Sequence, residues 1–205
     1  MCTGKIRKGC LVAGMLGFAL QIASADVVCG WNFNELEAKQ AELASDYGSG
    51  VLDLSSLESA VTVFGGTSLN AHQEDLAGSA LGIRGLDANE QWIELTSAVR
   101  GPVELSFAFR ATASGFDENQ VQMLIDGDWA AVGSFGGDQA DGAWHRETLT
   151  LPASDGTFRV RLFLNGAESS SGTIRFDNLQ ITPVSAPGAL LACSSGCIAL
   201  RSRRH

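Results

Sequence analysis

Strict alternation of apolar and polar side chains along two segments limits this chain to a fold built from β-strands. In residues 103–110, and again in residues 158–165, every second side chain is apolar and most of those between are polar. Successive side chains of a strand point to opposite faces of a sheet, whereas a helix would need a repeat near 3.6 residues. Each segment therefore predicts a strand with one face on a core and the other toward solvent.

Eight further runs have the same character, and turn sequences rich in Gly, Asp and Asn separate them. These runs are residues 27–33, 50–54, 79–86, 91–95, 121–126, 129–135, 146–151 and 173–182. Many short strands separated by such turns predict an all-β sandwich. Residues 36–44 are the exception, and we expect either a short helix or a charged loop there.

Two short segments predict local features of the strands, a hairpin turn and a β-bulge. Asp126-Gly127 lies between two strand-like runs, which is typical of a hairpin closed by a two-residue turn. In the last run the apolar residues Ile174 and Phe176 have even numbers, whereas Leu179 and Ile181 have odd numbers, so in a regular strand the two pairs would face opposite sides. One extra residue at Asp177-Asn178 would restore the register, so we predict a β-bulge there.

The N-terminal residues 1–25 are predicted to be a signal peptide with a helical apolar centre. A basic start is followed by an almost uncharged run over residues 10–22, and Ala23 and Ala25 supply small side chains at the cleavage positions. This order predicts export, with the export machinery and a signal peptidase as partners.

The C-terminal residues 186–205 are predicted to be a sorting or anchor tail. An Ala-Pro-Gly start (Ala186, Pro187, Gly188) precedes an uncharged run over residues 189–200 and a basic end, which contains Arg201, Arg203 and Arg204. The run predicts a short hydrophobic helix, below the roughly 20 residues of a typical membrane span. The arginines would stay on the cytoplasmic side and leave the domain outside.

This tail resembles a bacterial PEP-CTERM-type sorting signal, which consists of a Pro-containing motif, an apolar helix and a terminal Arg cluster. The resemblance implies processing by an exosortase-like enzyme. No Glu follows Pro187, so the usual Pro-Glu-Pro is absent. A plain tail anchor or a frayed tail is the alternative.

Residues 26–185 are predicted to form one strongly acidic β-sandwich domain. It holds eight basic residues, with Lys39 as the single lysine, against all 23 acidic residues, which gives a net charge of −15. Such a domain repels nucleic acid, so no nucleic-acid partner is expected. Cys29 is the domain's single cysteine, and we interpret it as a buried strand residue.

The order of several short motifs resembles galactose-binding-like jelly rolls, a group that includes many carbohydrate-binding modules. These motifs are Trp31-Asn32-Phe33-Asn34 and residues 78–83, 91–95, 142–145 and 174–179. The resemblance implies a jelly-roll-like sandwich with a structural calcium ion held by Asp177 with Asn34 or Glu35. The alternative is a buried Asp177 that backbone amides satisfy at the bulge. No other cofactor is expected.

Aromatic side chains are the candidates for sugar binding, because they can stack on sugar rings. Trp129 follows the hairpin turn and is expected to be exposed, whereas Trp92 and Trp144 lie in strand-like runs and are expected in the core. Together with Trp31 these are four tryptophans, and a domain of this size needs no ligand to explain that number.

No catalytic motif is found, since Gly-x-Ser-x-Gly and His-Glu-x-x-His are both absent. Glu94 and Glu104 occupy positions predicted to face outward. We therefore expect a non-enzymatic protein of the cell envelope or extracellular matrix, tethered by its tail before processing. A carbohydrate-binding module for exopolysaccharide or cell-wall glycan is the first alternative, and a secreted glycan hydrolase the second.

Overall fold

The computed structural model describes residues 27–184, apart from residues 74 and 155. Over this range the chain forms thirteen β-strands and three short 3-10 helices, Glu58–Ala60, Leu86–Ala88 and Gly137–Gln139. The strands are β1 (Cys29–Trp31), β2 (Glu42–Ala44), β3 (Tyr47–Gly48), β4 (Gly50–Asp53), β5 (Val61–Gly65), β6 (Ser79–Arg84), β7 (Gln91–Ala98), β8 (Gly101–Ala111), β9 (Glu118–Ile125), β10 (Asp128–Gly136), β11 (His145–Ser154), β12 (Thr157–Leu164) and β13 (Thr173–Pro183).

The strands pair into two antiparallel sheets that form a β-sandwich. Sheet A has the order β11-β8-β13-β1-β3, and β6 and then β5 extend it beside the first half of β13. Sheet B has the order β10-β9-β12-β7-β4-β2. The two segments with the strictest alternation became β8 and β12, which lie inside their sheets rather than at an edge. Their apolar sides face each other across the core, and this confirms the predicted all-β sandwich.

Aromatic side chains fill the centre of the core. Phe107 and Phe109 of β8, Phe135 of β10 and Phe176 of β13 are buried, with ring centroids 5.1–6.1 Å apart in tilted or edge-on contacts. Such contacts add to the free energy of burying the rings. Cys29 is fully buried in β1, as predicted.

Both predicted local features are present. Asp128 pairs with Ile125, and Asp126 and Gly127 form the two-residue turn with φ values of 53° and 93°. Two positive φ values are those of a type I′ turn. The register of β13 against β8 shifts between Asp177 and Gln180, which confirms the bulge.

All ten predicted runs contain a strand, but three strands were missed. β2 and β3 have three and two residues, too few to show a period, and in β5 the adjacent apolar side chains of Val63 and Phe64 belong to opposite faces, which obscures the alternation. A helix in residues 36–44 is wrong, because that segment forms turns and then β2, which pairs with β4.

The predicted signal helix and the predicted C-terminal helix lie outside the described residues. Within the described part of the chain, no helix is long and apolar enough to cross a membrane.

Candidate functional site

The outward-facing side of sheet B carries a stack of three side chains, which we call the tryptophan–arginine ladder: Trp92, Arg161 and Trp129. The guanidinium carbon of Arg161 lies 4.2 Å from the ring centroid of Trp92 and 3.8 Å from that of Trp129. Both distances are in the range of cation–π attraction. The ladder therefore joins β7, β12 and β10 across the outer face of one sheet.

Glu94 fixes the arginines of this face. It lies opposite Arg161 on β7, accepts 2.7 and 2.9 Å hydrogen bonds from Nε of Arg159 and of Arg161, and is 7% exposed. A nearly buried carboxylate between two guanidinium groups forms charge-assisted hydrogen bonds, which are shorter and stronger than neutral ones. The ladder is consequently held in one arrangement.

An open cavity of about 540 Å³ lies on the same sheet, at the start of β9 and the end of β10, and Gln122, which is opposite Arg161, lies between the ladder and this cavity. Gln120 and Ser134 pair in register on the outer face, and Gln122 Nε2 donates a 3.2 Å hydrogen bond to Gln120 Oε1. Asp117 and Gln139 also line the cavity. Its volume is in the range of small-molecule sites, and its polar groups both donate and accept hydrogen bonds.

The tryptophans are distributed differently from the prediction. Trp129 is half-buried, because Arg161 stacks on it and Arg159 lies 5.6 Å from its ring centroid. A core position for Trp92 is wrong, since it stands half-buried on the outer face of sheet B. The core position expected for Trp144 is wrong as well, since this side chain is half-buried and lies outside a strand. Trp31, by contrast, is 2% exposed and belongs to the core.

Asp177 is buried at the bulge of β13. Its Oδ2 accepts a hydrogen bond from the backbone N–H of Thr67 at 2.6 Å and its Oδ1 accepts one from that of Asn178 at 2.8 Å. Burial raises the pKa of Asp177 to about 7, although these two hydrogen bonds oppose the shift. Backbone amides therefore satisfy this carboxylate, as the alternative to the calcium hypothesis predicted.

Oxygen atoms nevertheless converge beside Asp177. A Cβ atom built on Gly66 would lie 2.7 Å from the carbonyl oxygen of Ser79, 2.9 Å from that of Ala77, and closer still to Asp177 Oδ2. A carboxylate and carbonyl oxygens are the ligands that Ca²⁺ prefers. The donor types thus fit a calcium ion.

The structure brings one of the two other predicted calcium ligands to this place. Asn34 Oδ1 accepts a 2.9 Å hydrogen bond from the backbone N–H of Ser79, next to the converging oxygens. Glu35 is exposed and lines a different cavity with Gln40 and Ser45. In the described residues no group of three or more His, Cys, Asp or Glu side chains is arranged to hold a metal.

The sequence interpretation missed Arg159, Arg161 and Gln120. A signal was present, since both arginines occupy outward positions of a predicted strand, as Trp92 and Glu94 do in another. Strand order was the missing information, because alternation does not tell which strands are neighbours. The predicted cleavage residues Ala23 and Ala25 and the tail residues Ala186, Pro187, Gly188, Arg201, Arg203 and Arg204 lie outside the described residues.

No protein-family profile and no curated protein matches the sequence. Solved structures with a similar fold include the CBM22-1 xylan-binding domain of Paenibacillus barcinonensis Xyn10C, with 17% identity over 80% of this chain and 97% of that one, at a TM-score of 0.45. TmCBM61 in complex with β-1,4-galactotriose matches with 16% identity over 75% and 94% of the chains at 0.43. The K3 cleaved adhesin domain of Lys-gingipain from Porphyromonas gingivalis matches with 14% identity over 78% and 100% of the chains at 0.45.

Proposed function

We propose that this domain is a carbohydrate-binding module that binds a glycan chain on the outer face of sheet B. The observation that carries the proposal is the position of Arg161 between the rings of Trp92 and Trp129. Aromatic faces and planar guanidinium groups complement the C–H faces and the hydroxyl groups of sugar rings.

Binding would proceed without rearrangement of the face. Glu94 already holds both arginines, so little side-chain entropy would be lost when a sugar stacks on the accessible part of Trp129. Gln120, Ser134 and Asp117 would then make hydrogen bonds to hydroxyl groups of a sugar farther along the glycan, in the cavity at the start of β9. Stacking would supply affinity, and the polar groups would supply orientation.

A glycan array followed by calorimetry on the best neutral glycan tests this proposal. Trp129→Ala should weaken binding at least tenfold and Gln120→Ala by a smaller factor, whereas Trp144→Ala, a half-buried tryptophan outside the ladder, should leave the affinity unchanged. An equal loss in Trp129→Ala and Trp144→Ala would contradict this site, and so would the absence of any bound glycan.

We further propose that the module is not an enzyme. Both oxygens of Glu94, the most buried carboxylate of the outer face, accept hydrogen bonds from arginines, so this group is engaged within the protein rather than with a substrate. Incubation with the bound glycan should release no new reducing ends. Their appearance would favour the alternative of a glycan hydrolase.

A structural calcium ion at Asp177 is proposed on the converging oxygens beside Gly66. Asp177, Asn34 and the carbonyl groups of Ala77 and Ser79 would hold it, and the ion would join β13 to the β5–β6 connection. Added calcium should raise the melting temperature of the wild type, as expected for a ligand that binds the folded state. It should leave Asp177→Asn unchanged.

We also propose that the protein is exported and sorted to the outer envelope through its tail. The sequences of residues 1–25 and 186–205 support this proposal. Deletion of residues 201–205 should release the protein to the medium. Unchanged retention would contradict the role of Arg201, Arg203 and Arg204.

A further inference from the structure

Four arginines lie on the outer face of sheet A, on four neighbouring strands. Arg175 of β13 pairs directly with Arg110 of β8. Arg84 of β6 is opposite Thr173, and Arg146 of β11 is opposite Ala108, so each lies one diagonal step from this pair. We call Arg84, Arg175, Arg110 and Arg146 the arginine band.

In the part of the chain that the structure describes, no carboxylate forms an ion pair with the band. Within the described residues, the acidic groups that form ion pairs within 4.0 Å are Glu94, which pairs with Arg159 and Arg161, and Asp141, which pairs with His145. Like charges directly opposite each other on neighbouring strands are destabilising. Half of the eight basic residues in residues 26–185 thus gather in one band, where the described residues provide no ion pair, although the region holds 23 acidic residues.

The band also contains an aromatic ring. The guanidinium carbon of Arg175 lies 4.1 Å from the ring centroid of Phe64, and Phe64 packs over Gly82, whose missing side chain leaves room for the ring. An open depression of about 370 Å³, lined by Thr62, Arg84 and Leu86 among others, continues the surface at the β6 end. Burial and the nearby charge of Arg110 lower the pKa of Arg175.

We propose that the arginine band is a second binding site, for an anionic polysaccharide that carries carboxylate or sulfate groups. The site lies on the opposite sheet from the tryptophan–arginine ladder, so it does not depend on the function proposed for sheet B. A bound acidic group between Arg110 and Arg175 would remove their repulsion, and arginine forms bidentate hydrogen bonds with carboxylate and sulfate.

Several observations favour a polysaccharide over other anionic partners. Arg110 and Arg175 lie on strands about 4.8 Å apart, and Arg84 and Arg146 each lie one diagonal step of about 7–8 Å further on, so the four charges form a line that an extended chain with repeated acidic groups can follow. Phe64 offers a surface for a sugar face. A membrane or a nucleic-acid duplex would bring a broad charged surface against the acidic remainder of the domain, whereas a single extended polysaccharide chain need contact only the band.

The test compares polygalacturonate with its fully methyl-esterified form, which has the same backbone without charge. Calorimetry on the full chain at 50 and 200 mM NaCl should show binding of polygalacturonate, weaker at the higher salt concentration, and at least tenfold weaker binding of the ester. Arg110→Gln/Arg175→Gln should lower the affinity for polygalacturonate at least tenfold.

Two controls separate this site from a general effect of charge and from the outer face of sheet B. Lys39→Gln/Arg100→Gln removes the same two charges from exposed positions outside the band and should leave binding within twofold of the wild type. Trp129→Ala should also bind polygalacturonate normally, even if it loses the neutral glycan. Circular dichroism checks that the variants are folded, and Arg110→Gln alone provides a milder change, with an expected loss of about threefold.

Three outcomes would overturn the proposal. The first is equal affinity for polygalacturonate and its ester, and the second is an equal loss in both double variants. The third is binding to vesicles that contain phosphatidylglycerol without binding to polygalacturonate, which would identify the band as a membrane contact. If Trp129→Ala no longer binds the neutral glycan but still binds polygalacturonate, the result bears only on the function proposed for sheet B.

Discussion

Arg161 Nε donates a 2.9 Å hydrogen bond to Glu94 Oε2, from β12 to the neighbouring strand β7. Glu94 is 7% exposed and also accepts a hydrogen bond from Arg159, so one carboxylate positions both guanidinium groups of the outer face of sheet B. The ladder therefore depends on a residue that does not stack in it.

Replacement of this carboxylate is expected to destabilise the protein. Glu94→Ala would leave two arginines without their counterion and should lower the free energy of unfolding by about 2–3 kcal/mol, less than for a fully buried pair because Arg159 is partly exposed. Urea unfolding measures the change. Glu42→Ala, an exposed glutamate on the edge strand β2 of the same sheet, should change stability by less than about 0.5 kcal/mol. Similar losses in both variants would contradict the positioning role of Glu94.

Two adjacent glycines are expected to respond oppositely to the same substitution. A Cβ at Gly66 would collide with Asp177 Oδ2 and the carbonyl groups of Ser79 and Ala77, so Gly66→Ala should cost about 2–3 kcal/mol. A Cβ at Gly65 would meet no atom within 4 Å, so Gly65→Ala should be neutral or slightly stabilising. Thermal melts of both variants test this difference. Gly66→Ala should also remove any effect of calcium, whereas Gly65→Ala should retain it.

The buried carboxyl group of Asp177 is expected to make stability depend on pH in calcium-free buffer. In the unfolded chain it loses its proton near pH 4, whereas in the folded protein its pKa is raised to about 7. Between these pH values the folded state binds more protons, so this contribution to stability falls as pH rises, by at most about 4 kcal/mol. The measurement is the difference in unfolding free energy between the wild type and Asp177→Asn from pH 4 to pH 7.5. A constant difference would show that Asp177 ionises normally.

The thiol of Cys29 is expected to be unreactive in the folded protein. It is fully buried, and burial raises its pKa to about 11, although a hydrogen bond with Ser97 opposes the shift. Because the thiolate is the reactive form, iodoacetamide at pH 8 should modify the Cys29 peptide only as fast as the protein unfolds. Mass spectrometry of that peptide, with and without urea, provides the measurement. Rapid native labelling would show that β1 opens locally.

The sequence predicted the strands well and their neighbours poorly. Alternation identified β8 and β12, and the change of parity around Asp177 identified the bulge. Alternation also predicted an outward position for Glu94. It could not show that Arg159 and Arg161 donate hydrogen bonds to this carboxylate, because they lie on another strand. Trp92 was assigned to the core because an aromatic residue in a strand-like run is usually buried, although its neighbours Ile93 and Leu95 are the ones whose parity faces the core.

The sequence by itself determined the two-residue period, the turns and the excess of acidic residues, because these are local or summed properties of the chain. Only the tertiary structure decided which outward positions meet. Trp92, Trp129 and Arg161 come from three strands, and the band arginines from four, joined by hydrogen bonds between residues distant in the chain. The core requires only that each strand bury its apolar side, so many strand orders satisfy the same pattern. The pairing of the strands then determines which polar and aromatic side chains form a surface that can bind a ligand.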